Sequence, residues 1–146
     1  MLISARLQDW TTTLVMAGPS IRHLYWQGQS PLLAAVINVT ARALATDVPE
    51  TAAILQGAAR QLLPTIRPPV DTAPANAVAT ESSTPSSRTG AAHDFVTDLR
   101  RETSVLLHNA LTDPRLRELR TQGERMSPDD AIAYTLNAIA RATENP

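Results

Sequence analysis

The sequence predicts an all-α protein of antiparallel helix pairs, and three observations carry that reading. Apolar residues recur at intervals of three and four in one segment after another. No stretch sustains the alternation that a half-buried strand needs. The segments are punctuated by Ser-Pro, Asp-Pro and Gly, which are signals for starting and stopping helices. The core must be aliphatic, because 43% of the residues are hydrophobic but only 3% are aromatic. Abundant alanine suits helices packed at short distance.

The first helix is expected from Leu2 to Ala17, with Leu7, Trp10 and Leu14 along one stripe. Gly18-Pro19 should end it, since proline cannot continue the hydrogen-bond ladder and glycine tolerates a left-handed terminus. Ser20 then caps a short helix over Ile21 to Gln27, which Gly28 closes. Tyr25 and Trp26 are adjacent at its end and cannot both point inward. Ser30-Pro31 starts a helix to about Ala45 by an N-cap hydroxyl followed by proline. Asp47-Val-Pro-Glu50 reads as a capping box opening the next, which Pro64 stops. Short turns between helices of this length make antiparallel hairpins.

Residues 64–92 change character. Five prolines (Pro64, Pro68, Pro69, Pro74 and Pro85) lie among Ala, Ser and Thr with few core-forming residues, which predicts a disordered linker. It separates a helical-repeat segment, 1–63, from a C-terminal helical segment, 93–143, expected to pack back on the first. In the latter, Asp94 to Leu111 carries Phe95, Leu99, Leu106 and Ala110 on one stripe. Asp113-Pro114 opens a short helix with Leu116 and Leu119 inward and Gly123 just past its end. Ser127-Pro-Asp-Asp130 is a second capping box, opening a last helix whose buried face is Ile132, Leu136 and Ile139.

Two tracts resemble the C-terminal tetratricopeptide-like helical domain of large bacterial LuxR-type regulators and related signalling ATPases. In the first, Gly123, Met126, Ser127, Ala131, Tyr134 and Leu136 match the family's closing phrase, while Arg120 stands where a tryptophan is usual. The second is Leu32 to Leu62, with Asp47-Val-Pro-Glu50 and the run Ala53-Ile-Leu-Gln-Gly57-Ala-Ala59. The resemblance implies antiparallel pairs of α-solenoid type. It does not extend to the nucleotide-binding domain, because the chain has no G-x-x-x-x-G-K-[ST] loop and no lysine to build one. A stand-alone or truncated interaction module, regulatory or signalling, is the expectation.

Charge and spacing narrow the function classes. The net charge of −1 gives no footprint of a nucleic-acid protein. A DNA-binding regulator using 113–142 as a helix-turn-helix is the alternative, with Arg115, Arg117, Arg120 and Arg125 on phosphates. Asp129 and Asp130 at the start of the second helix oppose it, since that turn would face base edges. The third alternative is a small-molecule-binding sensor domain. His23, His93 and His108 stand far apart, with no helical metal-ligand spacing, and no G-x-S-x-G elbow is present. We therefore expect no catalytic residue, no cofactor and no metal. Lack of cysteine excludes disulfides and thiolate metal sites. With no basic start before an apolar run and no long apolar window, neither signal peptide nor membrane span is expected, and the location should be cytoplasmic. No N-terminal capping repeat precedes the first helix pair, so that pair should present an apolar face to a protein partner or a second copy. The candidate contacts are Leu7, Trp10, Leu14, Tyr25 and Trp26, with Tyr134 on the last helix.

Overall fold

The computed structural model describes residues 2–63 and 87–144, with side chains for 3–63 and 94–144. Residues 64–86, most of the expected linker, lie outside the described residues. Among the described residues every regular element is a helix: α1 (Leu2–Arg6), α2 (Trp10–Trp26), α3 (Ser30–Leu44), α4 (Pro49–Leu62), α5 (Ser87–Ala110), α6 (Asp113–Glu124) and α7 (Pro128–Glu144). The all-α expectation holds, and several boundaries differ from the sequence reading.

The first expected helix is broken in a different place. After Arg6 the chain reverses through Gln8 at φ 58, with Gln8 N–H donating to Ala5 O and Asp9 N–H to Ser4 O. These two bonds close α1 with a Schellman turn. Asp9 then caps α2 by accepting the Thr12 N–H at 3.1 Å. No stop occurs at Gly18-Pro19, and α2 runs through both to Trp26. Proline inside a helix costs about 3 kcal/mol. That cost is met by burial, since Ala17 and Ile21 on either side are fully enclosed. Pro19 lies on the solvent face beside exposed Val15, where water can reach the carbonyl that lost its donor. The Ser20 hydroxyl donates to Met16 O at 2.8 Å, so it reinforces the same turn instead of capping a new helix.

The N-caps of the proline-opened helices lie one residue away from the expected ones. Gln29, Val48 and Thr112 are the N-caps of α3, α4 and α6, none with a side-chain cap bond. Ser30 and Asp113 are already helical, and Asp47 makes no capping box. Proline suits either of the first two helical positions because neither N–H has an intrahelical partner. The box at α7 does form on its serine side: Ser127 Oγ accepts the Asp130 N–H at 3.1 Å and donates to Asp130 Oδ2 at 2.7 Å. The start of α5 at Ser87 falls inside the expected linker.

Helix α4 is the centre of the molecule. Nine of its residues are buried: Ala52, Ala53, Ile54, Leu55, Gln56, Gly57, Ala58, Ala59 and Leu62. It packs most heavily on α6 and α3 and also meets α5 and α7, while α2 joins α3 and α7. Residues from before position 64 and after position 86 share one core, among them Ile37, Leu44, Leu55, Leu107, Leu116 and Ile139. The α4–α6 crossing is a backbone-to-backbone contact. A methyl on Gly57 would stand 2.9 Å from the Arg120 carbonyl carbon, with its oxygen closer still, and one on Gly123 would stand 2.8 Å from Ala58 N. Gly123 thus lies inside α6 as a contact residue, not past its end as a stop.

Candidate functional site

Two features rise above ordinary surface: a polar groove between α3, α4 and α5, and the outward face of α2. The groove, about 220 Å³, is lined by Asn38 of α3, Gln56 and Arg60 of α4, and Thr97, Arg100, Arg101 and Ser104 of α5. It exists because α4 and α5 touch only lightly, so polar side chains span the gap. Gln56 is only 6% exposed and is the hub. Its Oε1 accepts from Arg120 Nε at 3.1 Å and Nη2 at 2.7 Å, and Arg120 Nη2 also donates to Ser104 Oγ at 3.1 Å. The Gln56 amide gives longer bonds, 3.4 Å to Arg100 O and 3.5 Å to Ser104 Oγ. Burial, and then the neighbouring Arg60 guanidinium, hold Arg120 below the usual arginine value, with Glu124 partly opposing. An arginine remains charged at neutral pH all the same. Glu124 itself pairs with Arg60 at 3.3 Å. Outside the groove, Arg115 clasps Glu50 at 3.0 Å and Glu118 at 2.8 Å, exposed pairs worth little individually.

The first three turns of α2 have no such charge on their outward face. From Trp10 through Ile21 the helix carries no ionisable residue, yet Thr11, Thr12, Val15, Met16 and Pro19 are exposed. A helix facing only water normally carries charge there, as α5 and α6 do with Asp94, Asp98, Arg101, Arg117 and Glu118. The end of α2 presents Trp26, 86% exposed, edge-on to Tyr25 at 6.3 Å. Beside α2, Ile3 and Leu7 are 76% and 75% exposed.

The six residues singled out from sequence do not form one surface. Leu7 and Trp26 are exposed, whereas Leu14 is buried in the main core. Trp10 is half-buried beneath the Arg42 guanidinium, which lies 4.8 Å from its ring, a cation–π contact joining α2 to α3. Arg42 is also 3.6 Å from Glu102, beyond hydrogen-bond reach. Tyr134 is half-buried against the core, although the sequence placed it opposite the packed face. Both Tyr25 and Trp26 are exposed, and the Tyr25 hydroxyl donates to Asp129 at the start of α7.

That hydrogen bond, and then the charge of Asp129, hold the Tyr25 phenol above its ordinary value. A folded pKa above the unfolded one adds stability that is complete below about pH 10. The contribution is lost as pH rises through the folded value. In an ultraviolet absorbance titration, Asp129→Asn should move one tyrosine transition down in pH, and Tyr25→Phe should remove it. An unchanged profile in Asp129→Asn would dismiss the contact.

The histidines stay apart: His23 is exposed on α2, and the His108 ring bonds Ser104 O at 2.7 Å and lies 3.9 Å from Asp113. The side chain of His93 lies outside the described residues. Among the described residues no group of three or more His, Asp or Glu could hold a metal ion, and no helix is long and apolar enough to cross a membrane. Sequence reasoning did not find the groove. Its hub joins Gln56 to partners 48 and 64 positions away, so no local spacing could announce it. The one available signal was Arg120 on the same helical stripe as the buried Leu116, Leu119 and Gly123. No family model matches the chain, and neither does a curated protein or a solved structure.

Proposed function

We propose that the chain is a non-catalytic helical-repeat interaction module of tetratricopeptide-like kind, regulatory or signalling in role. It acts by pairing with a second copy through the outward face of α1 and α2. The observation that carries this reading is the stretch of α2 from Trp10 through Ile21, which holds no ionisable residue although Val15 is 59% exposed. Trp26, 86% exposed, lies one turn beyond exposed Arg22, and Ile3 and Leu7 lie beside the helix. Scattered apolar residues are ordinary on a surface, but a helix face without charge suits a covered interface. From Thr11 to Pro19 the patch can meet itself without like-charge repulsion, with Arg22 beyond that stretch. Exposed tryptophan is the residue type that most often anchors such contacts. The resemblance of Leu32–Leu62 and the C-terminal tract to repeat domains supports the same reading.

Sedimentation equilibrium over the micromolar range is the test. The wild-type chain should self-associate, and Val15→Asp and Trp26→Ala should each leave it monomeric. Their thermal unfolding should stay within about 0.5 kcal/mol of wild type, as for surface substitutions. A strictly monomeric wild-type chain, or dimers that persist in both variants, would reject pairing through this face.

A further inference from the structure

We propose that the groove between α3, α4 and α5 binds the phosphoryl group of a small molecule, held by Arg60, Arg100, Arg101 and the Ser104 hydroxyl. This inference is independent of self-association through α2. It starts from charge. Arg60, Arg100 and Arg101 line one small groove, and Arg120 stands directly behind Gln56 and Ser104. Among the described residues the one carboxylate bonded into this group is Glu124, on Arg60. None pairs with Arg100, Arg101 or Arg120. The whole chain has a net charge of −1, so this concentration of positive charge is local and not a general basic excess. Guanidinium groups gathered around a recess raise the local concentration of anions and bind them through paired N–H donors.

The floor of the groove is set up to donate. Arg120 is satisfied by neutral acceptors, Gln56 Oε1 and Ser104 Oγ, and Glu124 nearby compensates its charge only in part. Ser104 Oγ is occupied as an acceptor by Arg120, and among the described residues its own hydroxyl hydrogen has no acceptor. Arg120 therefore leaves Ser104 as a donor to an incoming oxygen. The Gln56 amide, held only by bonds of 3.4 and 3.5 Å, is a second donor at the same place.

Size and charge select the ligand class. A recess of about 220 Å³ falls below the roughly 300–1,000 Å³ of sites for drug-sized ligands, so the occupant is small. A carboxylate brings one charge and two oxygens. A phosphoryl group brings about −1.5 to −2 and three acceptor oxygens, which match several guanidiniums and a hydroxyl together.

Titration of the full chain with inorganic phosphate, pyrophosphate and succinate, followed by amide chemical shifts, tests the assignment. Both phosphates should give saturable shifts concentrated in residues 56–60 and 97–104, weakened by added salt, and succinate should bind at least tenfold more weakly. Arg100→Gln and Arg101→Gln should each reduce phosphate affinity about tenfold or more, the loss expected for a charge-assisted contact. Arg101 is exposed, so its variant keeps the fold and serves if Arg100→Gln is destabilised. Absence of saturable shifts, equal binding of succinate, or wild-type affinity in Arg101→Gln would each overturn the proposal.

Discussion

Gly123→Ala is expected to cost about 3 kcal/mol or more, against a total stability of about 5–15 kcal/mol for a domain of this kind. The substitution is favourable on local grounds, since alanine exceeds glycine in helix propensity by about 1 kcal/mol. At this crossing the added methyl would meet backbone: Ala58 N at 2.8 Å and the Ile54 carbonyl, whose carbon is 2.9 Å away. Backbone cannot change rotamer, so α4 and α6 must separate and loosen Leu55, Leu116 and Leu119 around them. Gly57→Ala meets the Arg120 carbonyl from the other side and should cost a similar amount. Because both act on one crossing, the double variant should cost less than the sum. Gly28 is the comparator: it sits at φ 66 with no atom within 4 Å of an added methyl, so Gly28→Ala should cost only about 1 kcal/mol of left-handed strain. Urea unfolding of these four variants beside the wild type measures all of this. Gly123→Ala with wild-type or raised stability would contradict the close crossing.

Gln56→Leu is expected to cost about 2–3 kcal/mol, although leucine fills nearly the same volume in a buried position. The leucine removes the acceptor of two Arg120 N–H bonds, at 3.1 and 2.7 Å, and leaves a half-buried cation facing an aliphatic group. Arg120 keeps Ser104 Oγ and partial access to solvent, which holds the cost below that of a fully buried orphan charge. Replacing both partners removes the conflict. Arg120→Met with Gln56→Leu should recover most of the loss, with a coupling of about 1–2 kcal/mol in a double-mutant cycle of chemical unfolding. Additive losses would mean that the two side chains do not act together.

The helices were legible because their faces are written in local spacing. Leu116, Leu119, Ile132 and Ile139 all point where the periodicity put them. Punctuation was less faithful. Proline was read as a stop at Pro19, yet the enclosed neighbours Ala17 and Ile21 outweighed its local cost. Gly123 was read as an ending because a glycine after two inward leucines looks like a terminus. The reason for it is a second backbone arriving from Ile54 and Ala58, about 65 residues earlier, which no window on α6 contains. The same limit applied to the candidate site. Trp26 could be picked out at a helix end and Leu7 on an apolar stripe of the first helix, but whether they faced water depended on how the other helices settled. Trp10 and Leu14 were drawn inward by those same neighbours. The groove was invisible because it is a gap between α4 and α5, and a gap is a property of packing, not of either segment.

The central place of α4 bears on how the chain emerges from a ribosome. Its aliphatic and alanine-rich surface is made early, yet the partners that enclose it from the far side, α6 and α7, come only with residues 113–144. Until those are synthesised, α4 can be covered only by α3 and, lightly, by α5, and the nascent chain carries an open oily seam. Holding that intermediate soluble, whether by a chaperone or by quick translation of residues 113–144, is a requirement the architecture imposes before any partner is met.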